Sequence, residues 1–206
     1  MGNQRMKARR PFNVNKYKTD NTFAATPAKV EIRRNVLDAV GAPARVFDAF
    51  AGPGELYSLV WSQAAAYTGC DVRWFNDHRR MFVGDNRRVL RAIDLAAFNI
   101  FDLDAYGSPW EQAIIIAARR PLRGERLGLV LTDGLEMQFK MNGVPAAVSL
   151  LTGLRPDVQV GLGRRPEAVL DRCIAGLAER FGARVTKQWR ASNRRTASYV
   201  GLVLES

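Results

Sequence analysis

Two carboxylates and an aromatic ring follow a short apolar segment in the run Asp102-Leu103-Asp104-Ala105-Tyr106-Gly107-Ser108-Pro109. A carboxylate at the carboxyl end of a strand can accept hydrogen bonds from an amino group and orient its lone pair toward a methyl sulfonium. A neighbouring tyrosine can stack on an extruded base. Because exocyclic amines of bases are poor nucleophiles, positioning and proton acceptance matter more here than covalent catalysis. We therefore predict catalytic roles for Asp104 and Tyr106.

A glycine turn follows an earlier apolar segment, in the run Val46-Phe47-Asp48-Ala49-Phe50-Ala51-Gly52-Pro53-Gly54. The two glycines lack the Cβ atoms that would block a ligand, and a helix predicted from Glu55 points its amide groups and positive dipole end at a carboxylate. S-adenosylmethionine has such a carboxylate and no pyrophosphate. A dinucleotide fingerprint requires a third glycine where Tyr57 stands. The turn therefore favours S-adenosylmethionine over a dinucleotide, and a glycine turn without a ligand is the alternative. The residues assigned to the cofactor in this segment are Asp48, Phe50, Gly52 and Gly54.

Three further aspartates are assigned to the same cofactor: Asp77, Asp94 and Asp102. Asp77 follows the second predicted strand, where a carboxylate can accept hydrogen bonds from ribose hydroxyls; capping of a helix predicted from Arg79 is the alternative. Asp94 precedes the next predicted strand and can accept from an adenine amino group, or it is a plain loop aspartate. The single histidine, His78, and the absence of Cys-x-x-Cys spacing predict no metal site.

Positive charge is concentrated near both ends of the chain, which carries 31 Lys and Arg, 20 Asp and Glu and a net charge of +11. Neither residues 1–18 nor Arg180–Arg195 contain an acid. This distribution predicts a polyanionic partner, with RNA favoured over DNA, although codon bias is an alternative source of arginine. Residues 1–28 lack apolar periodicity and are predicted to be a basic flexible arm ahead of a catalytic domain at 29–206. The two cysteines and the absence of a long apolar stretch favour a soluble cytoplasmic protein.

Strands alternate with helices along most of the chain, after a first helix predicted at Val30–Val40. The predicted strands are Arg45–Phe50, Val72–Phe75, Asn99–Leu103 and Leu127–Thr132, and the predicted helices are Glu55–Ala66, Arg79–Ala92, Pro109–Arg120 and Pro166–Phe181. A hairpin of Arg184–Trp189 and Ser198–Leu204 closes the chain. Such alternation indicates a parallel sheet. We predict an α/β class I methyltransferase Rossmann-like fold, with a mostly parallel seven-stranded sheet and a C-terminal antiparallel hairpin; other doubly wound folds share this order.

The run DLDAYGSP resembles the DLDPFGSP or DLDPYGSP signature of the tRNA guanine-N2 dimethyltransferases. Asn76-Asp77 is similar to that family's ND pair, and Thr132-Asp133 is similar to its TD pair. The resemblance implies that Asp104 handles the guanine amino group, with Tyr106 near the base and Asp48, Gly52, Asp77 and Asp94 around S-adenosylmethionine. The family's signature proline is Ala105 here, and family members carry a further C-terminal domain that helps to hold tRNA. Other RNA, DNA or recognition through a partner therefore stay open as alternatives.

Substrate contacts are predicted next to the signature and on an exposed turn. Trp110 can stack on a base, and the turn at Ser192–Arg195 can contact phosphates. The residues assigned to the substrate are Ser108, Pro109, Trp110, Asp133, Arg194 and Arg195. Our first hypothesis is methylation of an exocyclic amino group of a nucleic-acid base, and guanine N2 in tRNA or other RNA is the favoured target. The alternatives are an inactive nucleic-acid-binding protein of the same fold, and an adenine-N6 or cytosine-N4 DNA methyltransferase suggested by a loose similarity of DAYG to DPPY.

Overall fold

A computed structural model describes residues 25–134, 144–155, 166–193 and 197–206. Its strands form one sheet in the order β3-β2-β1-β4-β5-β7-β6. They are β1 (Arg45–Asp48), β2 (Ala66–Asp71), β3 (Met81–Val83), β4 (Ile100–Leu103), β5 (Arg126–Asp133), β6 (Arg184–Ser192) and β7 (Ser198–Glu205). The first five strands are parallel, and β7 lies antiparallel between β5 and β6. The predicted fold class is confirmed: the chain has a mostly parallel seven-stranded sheet that ends in an antiparallel hairpin.

Helices cover both faces of this sheet. They are α1 (Thr26–Val40), α2 (Glu55–Leu59), α3 (Asn86–Ala92), α4 (Trp110–Arg119), α5 (Ala146–Thr152) and α6 (Pro166–Phe181), with 3₁₀ turns at Trp61–Gln63 and Leu95–Ala97. The first helix packs against β5, β6 and β7, whereas α4 packs against α3, α5 and α6. Among the described residues, no helix combines the length and apolar character needed to cross a membrane.

Alternate residues of the central strands enter different cores. Phe101, Leu129 and Leu131 pack with α4, α5 and α6 on one face. Ile100 and Val130 pack with α1 on the other. This period of two is what a strand buried on both faces requires. The central strands β1, β4 and β5 are therefore held rigidly, and the residues that follow them project from a fixed edge.

Local sequence explains where the best-defined helices begin and end. Asp85 caps α3, because its side chain accepts a hydrogen bond from the backbone N–H of Arg87. Glu111 lies in the first turn of α4 and Arg119 in the last, as the helix dipole favours. The α6 helix is followed by Gly182, which adopts a positive φ of 61°. The predicted bounds of α4 and α6 agree with the structure to within one residue.

Three predicted elements between residues 55 and 92 are wrong. The predicted helix Glu55–Ala66 stops at Leu59, and its last residue begins β2. The predicted strand Val72–Phe75 lies outside the sheet, where Val72 and Trp74 are exposed. The predicted helix from Arg79 contains β3 before α3 begins. Alanines 64–66 favour a helix locally, but pairing of Ala66–Gly69 with β1 decides the outcome. In addition, α1 begins at Thr26 rather than at Val30.

Candidate functional site

The glycine turn, residues 51–54, joins β1 to α2 at the edge where the parallel strands end, which we call the carboxyl edge. Gly52 and Gly54 have positive φ values of 49° and 91°. A Cβ atom on Gly54 would lie 2.9 Å from Cζ of Arg79. Position 54 therefore needs glycine both for its backbone conformation and for the close approach of a side chain.

Arg79 is bound to the carbonyl groups of this turn. Its Nη1 donates to the carbonyl of Ala51 at 2.9 Å, and its Nη2 donates to the carbonyl of Gly52 at 2.6 Å. Asp77 holds the same guanidinium, with Nε donating to Oδ2 at 2.8 Å. The turn thus presents two carbonyl oxygens to a cation, which here is the guanidinium.

The position of Asp77 differs from both interpretations of the sequence. It lies six residues beyond the end of β2, and hydrogen bonds from Arg79 lower the pKa of its carboxyl against the opposing effect of burial. The helix that Asp77 is predicted to cap begins only at Asn86, because Arg79 leads into β3. The acid at the end of β2 is Asp71, whose Oδ2 accepts from the backbone N–H of Gly52 at 3.0 Å. Asp71 therefore holds the place on the carboxyl edge that the sequence analysis gave to Asp77.

Asp94 lies at the opposite edge of the sheet. It is exposed and caps the 3₁₀ turn before β4, accepting from the backbone N–H of Ala96 at 2.9 Å. The acid that follows β3 on the carboxyl edge is Asp85. Hydrogen bonds from Arg87 lower the pKa of Asp85 to about 2. The pattern from Arg79 to Ala92 predicts one continuous helix and hides β3, so the sequence does not identify Asp85 as an acid of this edge.

Asp48 is buried where β1 ends. Its Oδ1 accepts from the backbone N–H of Phe50 at 3.1 Å, and its Oδ2 accepts from the hydroxyl of Tyr67 at 3.0 Å. Burial, followed by the nearby charge of Asp102, raises the pKa of Asp48 to about 8. A carboxyl in this state changes its charge near neutral pH, and a cation bound beside it would favour the ionised form.

Asp102 is fully buried at the centre of a charge network. Arg33 on α1 donates two hydrogen bonds to its carboxylate, from Nε to Oδ2 at 2.6 Å and from Nη2 to Oδ1 at 2.8 Å. The indole N–H of Trp61 donates to Oδ2 at 2.7 Å. Both oxygens of Asp102 face protein donors, so this residue holds α1 against β4 rather than presenting its oxygens to the predicted cofactor.

Asp104 lies two residues further along, where β4 has ended, and its side chain is 10% exposed. The ammonium of Lys29 lies 3.0 Å from its Oδ1 and 3.1 Å from its Oδ2, and Nη2 of Arg33 lies 3.6 Å from Oδ2. Burial opposes ionisation of Asp104, but the charges of Arg33 and Lys29 outweigh it and lower the pKa. Asp104 is thus an ionised carboxylate at the carboxyl edge.

Tyr106 stands at the surface two residues beyond Asp104, with 67% of its area exposed. The intervening Ala105 is buried. Gly107 follows with a positive φ of 127°, and its carbonyl accepts from the backbone N–H of Gly134 at 2.6 Å. The loop after β4 is therefore fixed to the end of β5, with the tyrosine ring directed outward and the carboxylate inward.

The predicted substrate residues are divided between this loop and the core. Ser108 accepts a long hydrogen bond from the backbone N–H of Trp110 at 3.5 Å, and Pro109 occupies the N-cap position of α4. Trp110 is fully buried, and its indole N–H donates to Oδ2 of Asp133 at 3.0 Å. Trp110 therefore has no exposed face for stacking on a base. Arg194 and Arg195 lie outside the described residues.

An amide pair links the carboxyl edge to α4. Asn86 donates through Nδ2 to the carbonyl of Ala49 at 2.8 Å, and Gln112 donates through Nε2 to Oδ1 of Asn86 at 3.0 Å. Among the described residues, no three His, Cys, Asp or Glu side chains cluster as a metal site would require. The functional groups on this edge among the described residues are thus acids, carbonyls, two amides, the tyrosine and the cations that pair with the acids and carbonyls.

The comparisons with known proteins concern the fold. No family model and no curated protein match the sequence. The structure of 1,6-didemethyltoxoflavin-N1-methyltransferase from Burkholderia thailandensis, with 1,6-didemethyltoxoflavin and S-adenosylhomocysteine bound, has 14% identity and a TM-score of 0.50, covering 90% of this chain and 79% of that one. N-methyltransferase NodS from Bradyrhizobium japonicum, in complex with S-adenosylhomocysteine, has 10% identity and a TM-score of 0.51, covering 91% and 89%. The PH0226 protein from Pyrococcus horikoshii has 14% identity and a TM-score of 0.51, covering 91% and 93%. The chain has the class I methyltransferase Rossmann-like fold.

Sequence reasoning missed five residues of this edge: Lys29, Arg33, Asp71, Arg79 and Asp85. The two cations of α1 are four residues apart and share a helix face with Ile32 and Val36, so a charged pair within an apolar stripe was the available signal. Asp71 ends β2 and Asp85 follows β3, and the sequence pattern does not predict either strand. Arg79 carried no distinguishing local signal.

Proposed function

We propose that the chain transfers a methyl group from S-adenosylmethionine to an exocyclic amino group of a nucleic-acid base, with guanine N2 in tRNA or other RNA as the first candidate. One observation carries the proposal. Asp104, an ionised carboxylate, precedes the exposed Tyr106 by two residues on the same sheet edge as the glycine turn. An amine acceptor and a stacking surface next to a cofactor cradle are what amino methylation of a base requires.

The residues of the carboxyl edge fit S-adenosylmethionine by their donor and acceptor character. The carbonyls of Ala51 and Gly52 already accept from a cation, and the α-ammonium of the cofactor is a cation of similar donor chemistry. Asp71 and Asp85, which end β2 and follow β3, offer acceptors for ribose hydroxyls and for the adenine amino group. The bound cofactor supplies an electrophilic methyl group on its sulfonium.

Asp104 and Tyr106 act on the base in this proposal. The lone pair of an exocyclic amine is delocalised into the ring, so a hydrogen bond from the amine to a carboxylate helps to aim the nitrogen. Asp104 accepts that hydrogen bond and then the proton that the methylated nitrogen loses. Tyr106 holds the base by stacking. Lys29 and Arg33 keep Asp104 ionised, so its carboxylate can accept the hydrogen bond and then the proton.

The excess of positive charge supports a nucleic acid over a small neutral substrate. The chain carries a net charge of +11, and phosphate contacts made by cations dominate nucleic-acid affinity. One of the similar structures is named as a methyltransferase of a small molecule, 1,6-didemethyltoxoflavin, so this step rests on charge and on the signature at 102–109.

Calorimetry and a transfer assay test the proposal in order. Titration of the full chain with S-adenosylmethionine should show one binding site per chain. Incubation with methyl-labelled cofactor should then label bulk tRNA or other RNA, and nuclease digestion should recover N2-methylguanosine. Label in DNA but not in RNA would favour adenine N6 or cytosine N4 instead, and label in none of these substrates would contradict the proposal.

A second candidate is a nucleic-acid-binding protein of this fold without catalysis. The observation in its favour is that the chain's own cations already bind groups that the cofactor and the base would need. Arg79 is bound to the glycine-turn carbonyls, and Lys29 is paired with Asp104. This candidate predicts no heat of binding with S-adenosylmethionine, together with retained RNA binding. The same calorimetric titration therefore separates the two functions.

A further inference from the structure

A basic cavity of about 830 Å³ opens at the edge of the sheet opposite the candidate site. Its charged lining among the described residues consists of five arginines and one glutamate: Arg45, Arg119, Arg120, Arg123, Arg126 and Glu125. They come from the start of β1, the end of α4, the following loop and the start of β5. The cavity's volume lies within the range of sites that hold organic ligands, roughly 300–1,000 Å³.

Backbone carbonyls hold several of these guanidinium groups in place. Arg45 donates through Nε to the carbonyl of Ala97 at 2.8 Å, and Arg119 donates through Nη1 to the carbonyl of Ile93 at 3.0 Å. Arg126 pairs with Glu205, its Nε lying 2.7 Å from Oε1. A guanidinium has five N–H donors, so these contacts leave donors for a ligand. The arginines are therefore positioned in advance, which lowers the entropic cost of binding.

The balance of charge in the cavity favours an anion. Glu125 is paired with the buried Arg120 and Glu205 with the exposed Arg126, so the charges of Arg45, Arg119 and Arg123 are in excess among the described lining residues. Cations gathered in a concave surface repel one another and create a positive potential that attracts an anion. Burial of apolar area does not explain this arrangement, since the exposed arginines contribute little to the core.

The lining also indicates which part of a ligand is recognised. No aromatic side chain is present among the described residues of this lining, so the cavity lacks the stacking surface that binds bases. Guanidinium groups suit phosphate, because their planar donors match its oxygens in pairs.

We propose that this cavity binds phosphodiester groups of a polynucleotide backbone without regard to sequence. Its arginines reach it from separate elements, as contacts to successive phosphates require. The site is separate from the proposed methyl-transfer site, and its test measures binding alone.

The test compares three double variants of the full chain, read by fluorescence anisotropy on a labelled 20-nucleotide single-stranded RNA over a salt series. Arg123→Gln with Arg126→Gln removes two exposed cavity charges. Arg34→Gln with Arg172→Gln is the matched control, since both residues are exposed on α1 and α6 and lie outside the cavity lining. Arg123→Lys with Arg126→Lys keeps the charge. Thermal unfolding of each variant checks that it is folded.

The cavity variant should bind RNA roughly tenfold more weakly at moderate salt, because charge-assisted contacts to phosphate are lost. Its slope of log affinity against log salt should be shallower by about 1.4, as two lost contacts to a single strand predict. The control pair should change the slope by much less, and the lysine pair should keep it near the wild-type value. Equal slopes for the cavity and control variants would overturn the proposal. A small phosphate ligand is the competing outcome. If pyrophosphate or ATP binds tightly to the wild type and not to the cavity variant, while RNA affinity is the same for both, the polynucleotide assignment is overturned.

Discussion

Lys29 and Asp104 form a buried ion pair that joins the first helix to the end of β4. The lysine side chain is 0% exposed and its ammonium lies 3.0 Å from one carboxylate oxygen. The two residues are 75 positions apart in the chain. Because Arg33 adds a second cation on the same helix, α1 sets the charge of the carboxylate on which the proposed reaction depends.

Removal of the Asp104 carboxylate should abolish methyl transfer while cofactor binding is kept. Asp104→Ala should lower kcat by about 10²–10⁴, the range expected for loss of a general base. The dissociation constant of S-adenosylmethionine, measured by calorimetry, should change little, because the glycine turn is untouched. Asp94→Ala is the matched control: it removes an exposed aspartate at the other edge of the sheet. Full activity of the Asp104 variant would remove this residue from the mechanism.

Lys29→Met should shift the pH dependence of the reaction. The charges of Arg33 and Lys29 lower the pKa of Asp104 against burial, so loss of the lysine should raise that pKa. Asp104 would then become protonated at a higher pH, and the acidic limb of the kcat profile should move toward neutrality. Lys187→Met, at an exposed site on β6, should leave the limb in place. A loss of activity by the same factor at every pH would mean that Lys29 is only structural.

Elements with a clear hydrophobic pattern of their own could be predicted from the sequence. Elements that form only because a strand pairs with a distant strand could not. The strands β4 and β5 are mostly apolar, and α6 has a clear helical period, so their positions follow from sequence. In contrast, the helix predicted over Glu55–Ala66 takes in the first residue of β2, and the rest of β2 is not predicted; pairing with β1 makes Ala66–Asp71 a strand. Prediction from local propensity fails where tertiary pairing overrides it.

The misplaced strands also explain why two acids of the carboxyl edge escape prediction. The sequence predicts a strand just before Asp77 and places Asp94 ahead of β4, whereas the acid that ends β2 is Asp71 and the acid that follows β3 is Asp85. Asp104 and Tyr106 can be proposed from sequence because an uncommon eight-residue run contains them, and their roles stay predictions. Arg33 and Lys29 reach the site from a helix about 70 residues earlier. Their spacing within an apolar stripe marks them on α1, but no local pattern shows which strand they contact.

Gly54→Ala should weaken cofactor binding by more than its effect on stability explains. Gly54 has a φ of 91° and its Cβ would lie 2.9 Å from Cζ of Arg79, so the new methyl group presses on the side chain that lies across the turn. Gly153→Ala is the control, since Gly153 has a φ of 69° and nothing within 4 Å of its Cβ position. Both variants should lose roughly 1–2 kcal/mol of stability from left-handed backbone strain. Only Gly54→Ala should raise the dissociation constant of S-adenosylmethionine, by roughly tenfold; equal constants for the two variants would show that the turn does not face the cofactor.

The stability of the cofactor-free protein should fall as pH rises toward 8, and Asp48 should cause much of that fall. Its folded pKa is raised by burial from 3.8 to about 8, so between these values the folded state holds a proton that the unfolded state has released. Stability from this group is fully present below the unfolded pKa and is lost as pH rises through the folded one, at up to about 1.4 kcal/mol per pH unit.

Asp48→Asn removes this titration and keeps the shape of the side chain, with an oxygen for Phe50 and an amide for Tyr67. Urea unfolding at pH 5, 6, 7 and 8 should therefore show the variant gaining stability over wild type as pH rises. Asp171→Asn, which alters an exposed carboxylate on α6, should run nearly parallel to wild type over the same range. If the Asp48→Asn and wild-type curves are also parallel, Asp48 is already ionised in the folded protein at pH 5, and its charge must be balanced by Arg33 across the Asp102 network.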